Sequence, residues 1–409
     1  VEATLVIGGG LAGLACAVRL HEAGRRPLVI EAGDAVGGRV RTDSEGGFLL
    51  DRGFQVFLDA YPQAGALLDK PALDLRPFKP GALVFLDGRF HRVMDVFREP
   101  RHLLTSALAQ VGSLADKLRV AGLKWRLGGR TAAETAGSGD LTTQEYLERA
   151  GFSRRMIDVF FRSFYGGIFL ERDLRTSSRM FEFTFRMFSR GSATLPARGM
   201  GEIPRQLAAR LPAEAIRCGT KAVEVRPRGV TLESGERIDG DAVVVATDAT
   251  TAARLVPGLP AAEPKWRGVT CLYFAAGRSP LNEAIIALNG TGRGLVNNLC
   301  VLSDVAPAYA PPGQSLVSVA VLGTPDFPDL EARVLAELTD WFGREVREWR
   351  HLRTDRIPRA LPEQAPGAPG PGFREAGGIL VCGDHLATAS IEGAITSGLR
   401  TADIVLQRT

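Results

Sequence analysis

The segment ATLVIGGGLAGLACAVRLHEAG, residues 3–24, constrains this chain more than any other. Its β-branched run from Ala3 to Ile7 has the character of a short strand buried on both faces. Gly8-x-Gly10-x-x-Gly13 follows at once, and Leu14, Ala15, Val18 and Leu20 then set a helical period that Gly24 stops. In such a strand–turn–helix the first glycine permits the turn and the second lets the backbone approach a pyrophosphate. The third lets helix and strand pack closely. The helix start, with Leu11 and Ala12 in its first turn, offers N–H groups and a positive dipole end to phosphate. A second apolar run, Pro27 to Ile30, ends in Glu31-Ala32. An acidic side chain there accepts hydrogen bonds from an adenosine ribose and disfavours a 2′-phosphate.

That unit alone suits either NAD or FAD; the residues that follow it separate the two. FAD is longer, and its pyrophosphate meets protein from a second direction. In EAGDAVGGRVRT (31–42), Gly37 and Gly38 let backbone press in, and Arg39 adds charge-assisted hydrogen bonds to phosphate. This segment resembles the second half of the extended dinucleotide signature of flavin amine oxidases, protoporphyrinogen oxidases and phytoene-type carotenoid desaturases. The resemblance implies that Gly38 and Arg39 lie against FAD. FLLDRGFQVF (48–57) is similar to the strand and turn that approaches the flavin ring in that group, which implies Gly53, Phe54 and Gln55 at the cofactor. The family usually has two glycines at this turn; here Gly53 is followed by Phe54.

The other end of the chain carries a second signal. Ile379 to Cys382 reads as a buried strand ended by Gly383-Asp384, and a helix runs on from Ser390. Its first N–H groups are available to a ligand. The superfamily ends in the same order, which implies Asp384 near the ribityl or pyrophosphate portion, with Ile391, Ala394 and the helix start near the flavin pyrimidine. Between the two ends, PARGMGEIPRQLAARL (196–211) resembles the segment that returns the chain to the nucleotide domain. Residues 221–248 resemble the family's β-meander, which implies backbone contact between Val223 and adenine.

The expected fold class is therefore α/β: a Rossmann-like FAD-binding domain, with parallel sheet and β-meander, and an interleaved α+β substrate domain. The first is expected from residues 1–76, 196–256 and 366–409, the second from 77–195 and 257–365. A length of 409 residues, 45% hydrophobic, suits a globular chain with more than one core. The net charge of +4 is spread over scattered arginines, which argues against a nucleic-acid partner. Five cysteines lack metal or disulfide spacing, and no apolar run approaches a membrane span. The expected location is cytoplasmic. Nothing in the sequence bears on oligomeric state.

Phe and Met crowd residues 156–170 and 179–191, which suggests an apolar pocket beside the flavin and a hydrophobic small-molecule substrate. Residues 100–127 give amphipathic helix with a basic, Trp-containing end. Packing on the core is its ordinary reading, and peripheral contact with a membrane is the alternative. Residues 361–375, dense in Pro and Gly, read as a loop.

Amine oxidases of the resembled group place a lysine on a substrate-domain strand and aromatic side chains over the flavin. Thr270 is read at the lysine position, with Ser390 and a site near Arg356 at the aromatic ones. No cysteine lies in the segment some relatives use to bond flavin, so FAD is expected to be noncovalent. The leading expectation is an FAD-dependent oxidase or desaturase that dehydrogenates an apolar compound such as a polyene or porphyrin-like molecule. The alternatives are a flavin amine oxidase for a small amine or polyamine, and a non-redox flavin-bound isomerase or binding protein. An NAD-dependent dehydrogenase is a minor fourth. Flavin carries its own redox chemistry, so no catalytic residue or metal ligand is assigned.

Overall fold

The computed structural model describes residues 3–95, 98–99, 110–128, 139–259, 265–367 and 373–408. Its organising element is a six-stranded sheet in the order 216–217, Pro27–Ile30, Thr4–Ile7, Ala242–Val245, Ile379–Val381, Arg374–Ala376. The first five strands are parallel and only the last pair is antiparallel. The central strands are fully buried apolar runs, because helices or strands cover both faces. The edge strand Arg374–Ala376 begins at the end of the segment 361–375 that reads as a loop. It is short and mostly exposed, so its charged residues make no periodic apolar signal.

Helix Leu11–Glu22 packs on this sheet, and the last helix, Ile391–Gln407, packs on it in turn. Leu14, Cys16, Leu20, Ile395, Ala402 and Val405 share one core. Residues 222–226, 229–232 and 237–239 form the three-stranded antiparallel meander. The next strand, Ala242–Val245, rejoins the parallel sheet beside Thr4–Ile7.

A second, seven-stranded sheet runs in the order Arg350–Pro362, Trp266–Ala276, Ser315–Leu322, Val296–Val301, Ile286–Asn289, Gly81–Leu86, Arg89–Met94. It is antiparallel except where Ile286–Asn289 meets Gly81–Leu86. Leu272, Phe274, Val317 and Val319 face helix Leu330–Phe342 in one core. On the opposite face, Ala82, Val84 and Leu288 meet helices Arg162–Phe169 and Ser178–Arg190 in another. Cys271 and Tyr273 on that same face join the core of the parallel-sheet side. The alternation of side chains along Trp266–Ala276 thus turns every second residue toward the nucleotide motifs.

Of the amphipathic stretch 100–127, residues 100–109 lie outside the described residues; Leu114–Gly128 is helix. No helix among the described residues is long and apolar enough to cross a membrane.

Candidate cofactor and active site

The N-terminal strand ends at Gly8, whose N–H donates to the Ile30 carbonyl at 2.9 Å. Gly10 caps the first helix with extended backbone, no side chain caps that helix, and no acidic residue sits in its first turn. A Cβ added at Gly10 would meet nothing within 4 Å, so the space before the helix start is open. Leu11, Ala12 and Gly13 form a buried first turn. Gly13 has no room for a side chain because the Gly8 carbonyl lies against it. An open helix N-terminus with uncommitted N–H groups fits an anion.

Glu31 is fixed beside it. One carboxylate oxygen accepts the Gly9 N–H at 2.6 Å and the other the Gly33 N–H at 2.7 Å. Ala32 is exposed between them in sequence. Sequence reasoning passed over Gly9 and Gly33; their signal was present, one as the middle glycine of Gly8-Gly9-Gly10 and the other two residues after Glu31.

Gly37 and Gly38 bring the second loop onto the first. The Gly37 N–H donates to the Gly9 carbonyl at 2.8 Å, and the two residues have φ of +117° and +57°. Side-chain-bearing residues avoid those angles, which is why two glycines stand here. Arg39 follows, with its guanidinium at 2.7 Å from Asp384 and 2.9 Å from the Ala360 carbonyl. It also lies 5.9 Å from the Trp266 ring. Burial opposes its charge, but Asp384 outweighs that and holds Arg39 protonated. Gln55 donates to the Arg39 carbonyl at 2.8 Å, tying the turn at Gly53-Phe54 to the same loop. Gly53 packs against Ile357, and Phe54 meets Phe78 edge-on at 6.4 Å. Trp266 and Ala360 had no signal in the sequence, because they lie more than two hundred residues from Arg39.

From the C-terminal end, the Gly383 N–H is held by Ser397 at 2.9 Å, placing Asp384 opposite Arg39. Ser390 caps the last helix by accepting the Gly393 N–H at 3.0 Å. Among the described residues no acceptor meets the N–H groups of Ile391 or Glu392. Ile391 and Ala394 are half-buried there. His385 beside Asp384 has its basicity lowered by burial, and its Nδ1 is buried without a partner. Val223 occupies a β-bulge: the register passes from Ala222 opposite Leu232 to Glu224 opposite Thr231 and leaves Val223 unpaired. Its backbone groups are thus outside the ladder, and its side chain is 47% exposed.

One reading changes. Thr270 does not face the nucleotide side; it is buried on the opposite face of its strand and donates to the Gly323 carbonyl at 3.0 Å. Cys271 and Tyr273 take the facing positions, because a one-residue difference in register exchanges the two faces. Ser390 works as a helix cap. Glu392, part of the Glu-Gly-Ala segment, accepts the Gln63 and Ala64 N–H groups, both at 2.9 Å, and so holds helix Pro62–Leu67.

A polar cluster that sequence reasoning missed lies behind Gly53. Buried Asp51 accepts from the hydroxyls of Thr42 and Tyr309 and from the Met200 N–H, while Tyr273 donates to its carbonyl at 2.6 Å. Burial pushes the Asp51 carboxyl up to about 6, against the lowering effect of those hydrogen bonds.

Three comparisons bear on this arrangement. Residues 11–406 match the family described as flavin containing amine oxidoreductase. The chain belongs to that family. Among its curated relatives is a 15-cis-phytoene desaturase from an Oncidium hybrid cultivar, 24% identical over 98% of this chain and 77% of the relative. Among solved structures, an oxidoreductase from Methanosarcina mazei superposes over 100% of both chains with a TM-score of 0.77 at 19% identity. A putative protoporphyrinogen oxidase from Exiguobacterium covers 100% of this chain and 99% of its own, with a TM-score of 0.74 at 16% identity. Membership of the flavin containing amine oxidoreductases implies a flavin cofactor, and the α/β fold is the one those structures share.

Proposed function

We propose that the chain is an FAD-dependent oxidoreductase that holds its cofactor noncovalently and dehydrogenates an apolar substrate. The residues fit the group. The open helix start at Gly10, the anchored Glu31, the glycine loop at Gly37-Gly38 and the bulged Val223 offer, in order, sites for pyrophosphate, ribose, pyrophosphate again and adenine. Arg39 and Asp384 would stand at the diphosphate and ribityl portion, and the N–H groups of Ile391 and Glu392 at the pyrimidine end. FAD supplies the hydride-accepting chemistry when bound.

What this chain adds is position and exclusion of water. The observation that carries the apolar reading is two trios of aromatic rings between the core of the parallel sheet and the helical core. Phe57 meets Tyr61 at 5.7 Å, and Tyr61 stacks on Phe183 at 6.1 Å. Phe188 meets Phe164 at 5.4 Å, and Phe164 stacks on Phe160 at 5.7 Å. Phe160, Phe164, Phe183 and Phe188 are only half-buried and so keep surface for another apolar body. The phytoene desaturase among the relatives supports this direction. Against an amine reading, strand Trp266–Ala276 carries no lysine of the kind that the resembled amine oxidases place there, and Thr270 is committed to the Gly323 carbonyl.

The test is anaerobic mixing of the yellow holoprotein with polyene, porphyrinogen and amine compounds. Loss of the oxidised flavin absorbance with an apolar compound is expected. Bleaching by amines alone would overturn the substrate class, and an unchanged spectrum with every turnover product absent would favour a non-redox role.

A further inference from the structure

Gln364 stands just past strand Arg350–Pro362, where the chain leaves the seven-stranded sheet. Its side-chain amide closes on the loop before the last helix. Nε2 donates to the Ala387 carbonyl at 2.6 Å, and Oε1 accepts the Ala389 N–H at 3.0 Å. An acceptor on one side and a donor on the other fix which way the amide points. Ala387 and Ala389 are buried, where a backbone hydrogen bond left unmade is costly.

Among the described residues, the other hydrogen bonds of residues 387–390 span four residues or fewer. Ala387 donates to the Asp384 carbonyl at 3.1 Å and Ser390 to the Thr388 carbonyl at 2.7 Å, while Ser390 accepts the N–H groups of Gly393 and Ala394. Gln364 is thus the distant tether of this loop. The loop in turn is packed tightly on the helix start: a Cβ at Gly393 would lie 1.8 Å from the Thr388 carbonyl oxygen. A shift at Ala387 or Ala389 therefore reaches the N–H groups of Ile391 and Glu392.

On its other side Gln364 is fastened to the helical core. Its carbonyl accepts the N–H of Ser177 at 2.8 Å, and Ser177 caps helix Ser178–Arg190, which carries Phe183 and Phe188. Asp140 binds the same junction, accepting the Ser177 hydroxyl at 2.6 Å and the Gly367 N–H at 2.9 Å. Gln364 and Ala389 line one small cavity with Phe169, Thr176 and Met180. One residue thus joins the helix that offers aromatic surface to a substrate and the helix start offered to the flavin.

We infer that Gln364 is a positioning residue for the redox step, keeping the N–H groups of Ile391 and Glu392 aimed at the flavin pyrimidine in register with helix Ser178–Arg190. The inference rests on the FAD reading proposed above. Those N–H groups favour negative charge at the pyrimidine end, so their aim sets how readily the bound cofactor is reduced. Gln364 acts only through Ala387 and Ala389; no proton or electron passes through it.

The experiment is the midpoint potential of bound FAD, titrated with dithionite beside a reference dye without oxygen, in the full-length wild type, Gln364→Met and Gln364→Glu. Met keeps the bulk and makes neither bond; Glu keeps an acceptor for Ala389 and sets an oxygen against the Ala387 carbonyl. Both potentials are expected to move negative, the flavin–dye equilibrium shifting roughly tenfold toward oxidised flavin, or about 30 mV for a two-electron couple. A lowered melting temperature or FAD affinity at unchanged potential would overturn the inference and leave Gln364 a structural clasp. A folded variant that no longer takes up FAD would also overturn it, and should either variant fail to fold, the potential of the other decides. A wild type that takes up no FAD would instead sink the cofactor reading on which the inference rests.

Discussion

Gly398 in the last helix lies so close to the Ala12 carbonyl of the first helix that even a methyl group on it would overlap that oxygen. The two helices therefore cross at near backbone contact, and the crossing fixes the C-terminal strand and Asp384 relative to the glycine turn. Gly398→Ala forces the helices apart. A loss on the order of 1–3 kcal/mol in stability is expected. Thermal unfolding reads it directly, and an unchanged melting temperature would refute the close crossing.

Arg39 supplies the second prediction. Its guanidinium is held by Asp384 and the Ala360 carbonyl at an angle that a lysine cannot reproduce. Arg39→Ala is expected to weaken FAD binding by roughly ten- to hundredfold, the range of one or two charge-assisted hydrogen bonds. Arg39→Lys should recover part of it. Titration of apoprotein with FAD gives both values, and equal affinity for wild type and Arg39→Ala would remove the arginine from the site.

Asp51 makes stability depend on pH. Its carboxyl titrates near 6 in the folded chain, above the ordinary 3.8, because burial penalises its charge. The folded state thus binds the proton more tightly, so the contribution is full below about pH 4 and is lost as pH rises through about 6. Asp51→Asn should flatten that part of the profile. Urea midpoints of apoprotein at about pH 4 and about pH 7 measure the slope, and an identical slope in the variant would sink the assignment.

Glu392 joins the last helix to helix Pro62–Leu67 through two backbone N–H groups. Glu392→Ala leaves the N–H of buried Ala64 without its partner, while that of exposed Gln63 can turn to water, at an expected loss of about 1–3 kcal/mol. Denaturant unfolding of the apoprotein separates this from any effect on FAD. A stability equal to wild type would show that water replaces the carboxylate.

The parts legible in the sequence are those written as contiguous signals. The strand, glycine turn, helix and Glu31 fall within residues 3–31, and the meander and the terminal strand–helix unit each carry their own period. What the sequence hid is what long-range packing decides. Trp266 and Ala360 reach Arg39 only because strands Trp266–Ala276 and Arg350–Pro362 pair. The facing of Thr270 turned on a single step of register, which an almost uninterrupted apolar run from Val269 to Ala276 does not mark. The start of edge strand Arg374–Ala376 reads as loop because its residues alternate nothing apolar. Leu114, Leu118 and Trp125 on helix Leu114–Gly128 are exposed although the sequence reads as a core-packing helix, since amphipathicity shows that a helix has two sides and not which side is covered.

The placement of strand Ile379–Val381 beside Ala242–Val245, with helix Ile391–Gln407 on Leu11–Glu22, sets an order of assembly during synthesis. A nascent chain stopped before residue 379 carries an unpaired edge at Ala242–Val245 and a first helix bare on the side where Ala12 should meet Gly398. Residues 4–22 thus leave the ribosome long before the neighbours at 379–407 that cover them, and until then their apolar surfaces are targets for chaperones and for aggregation.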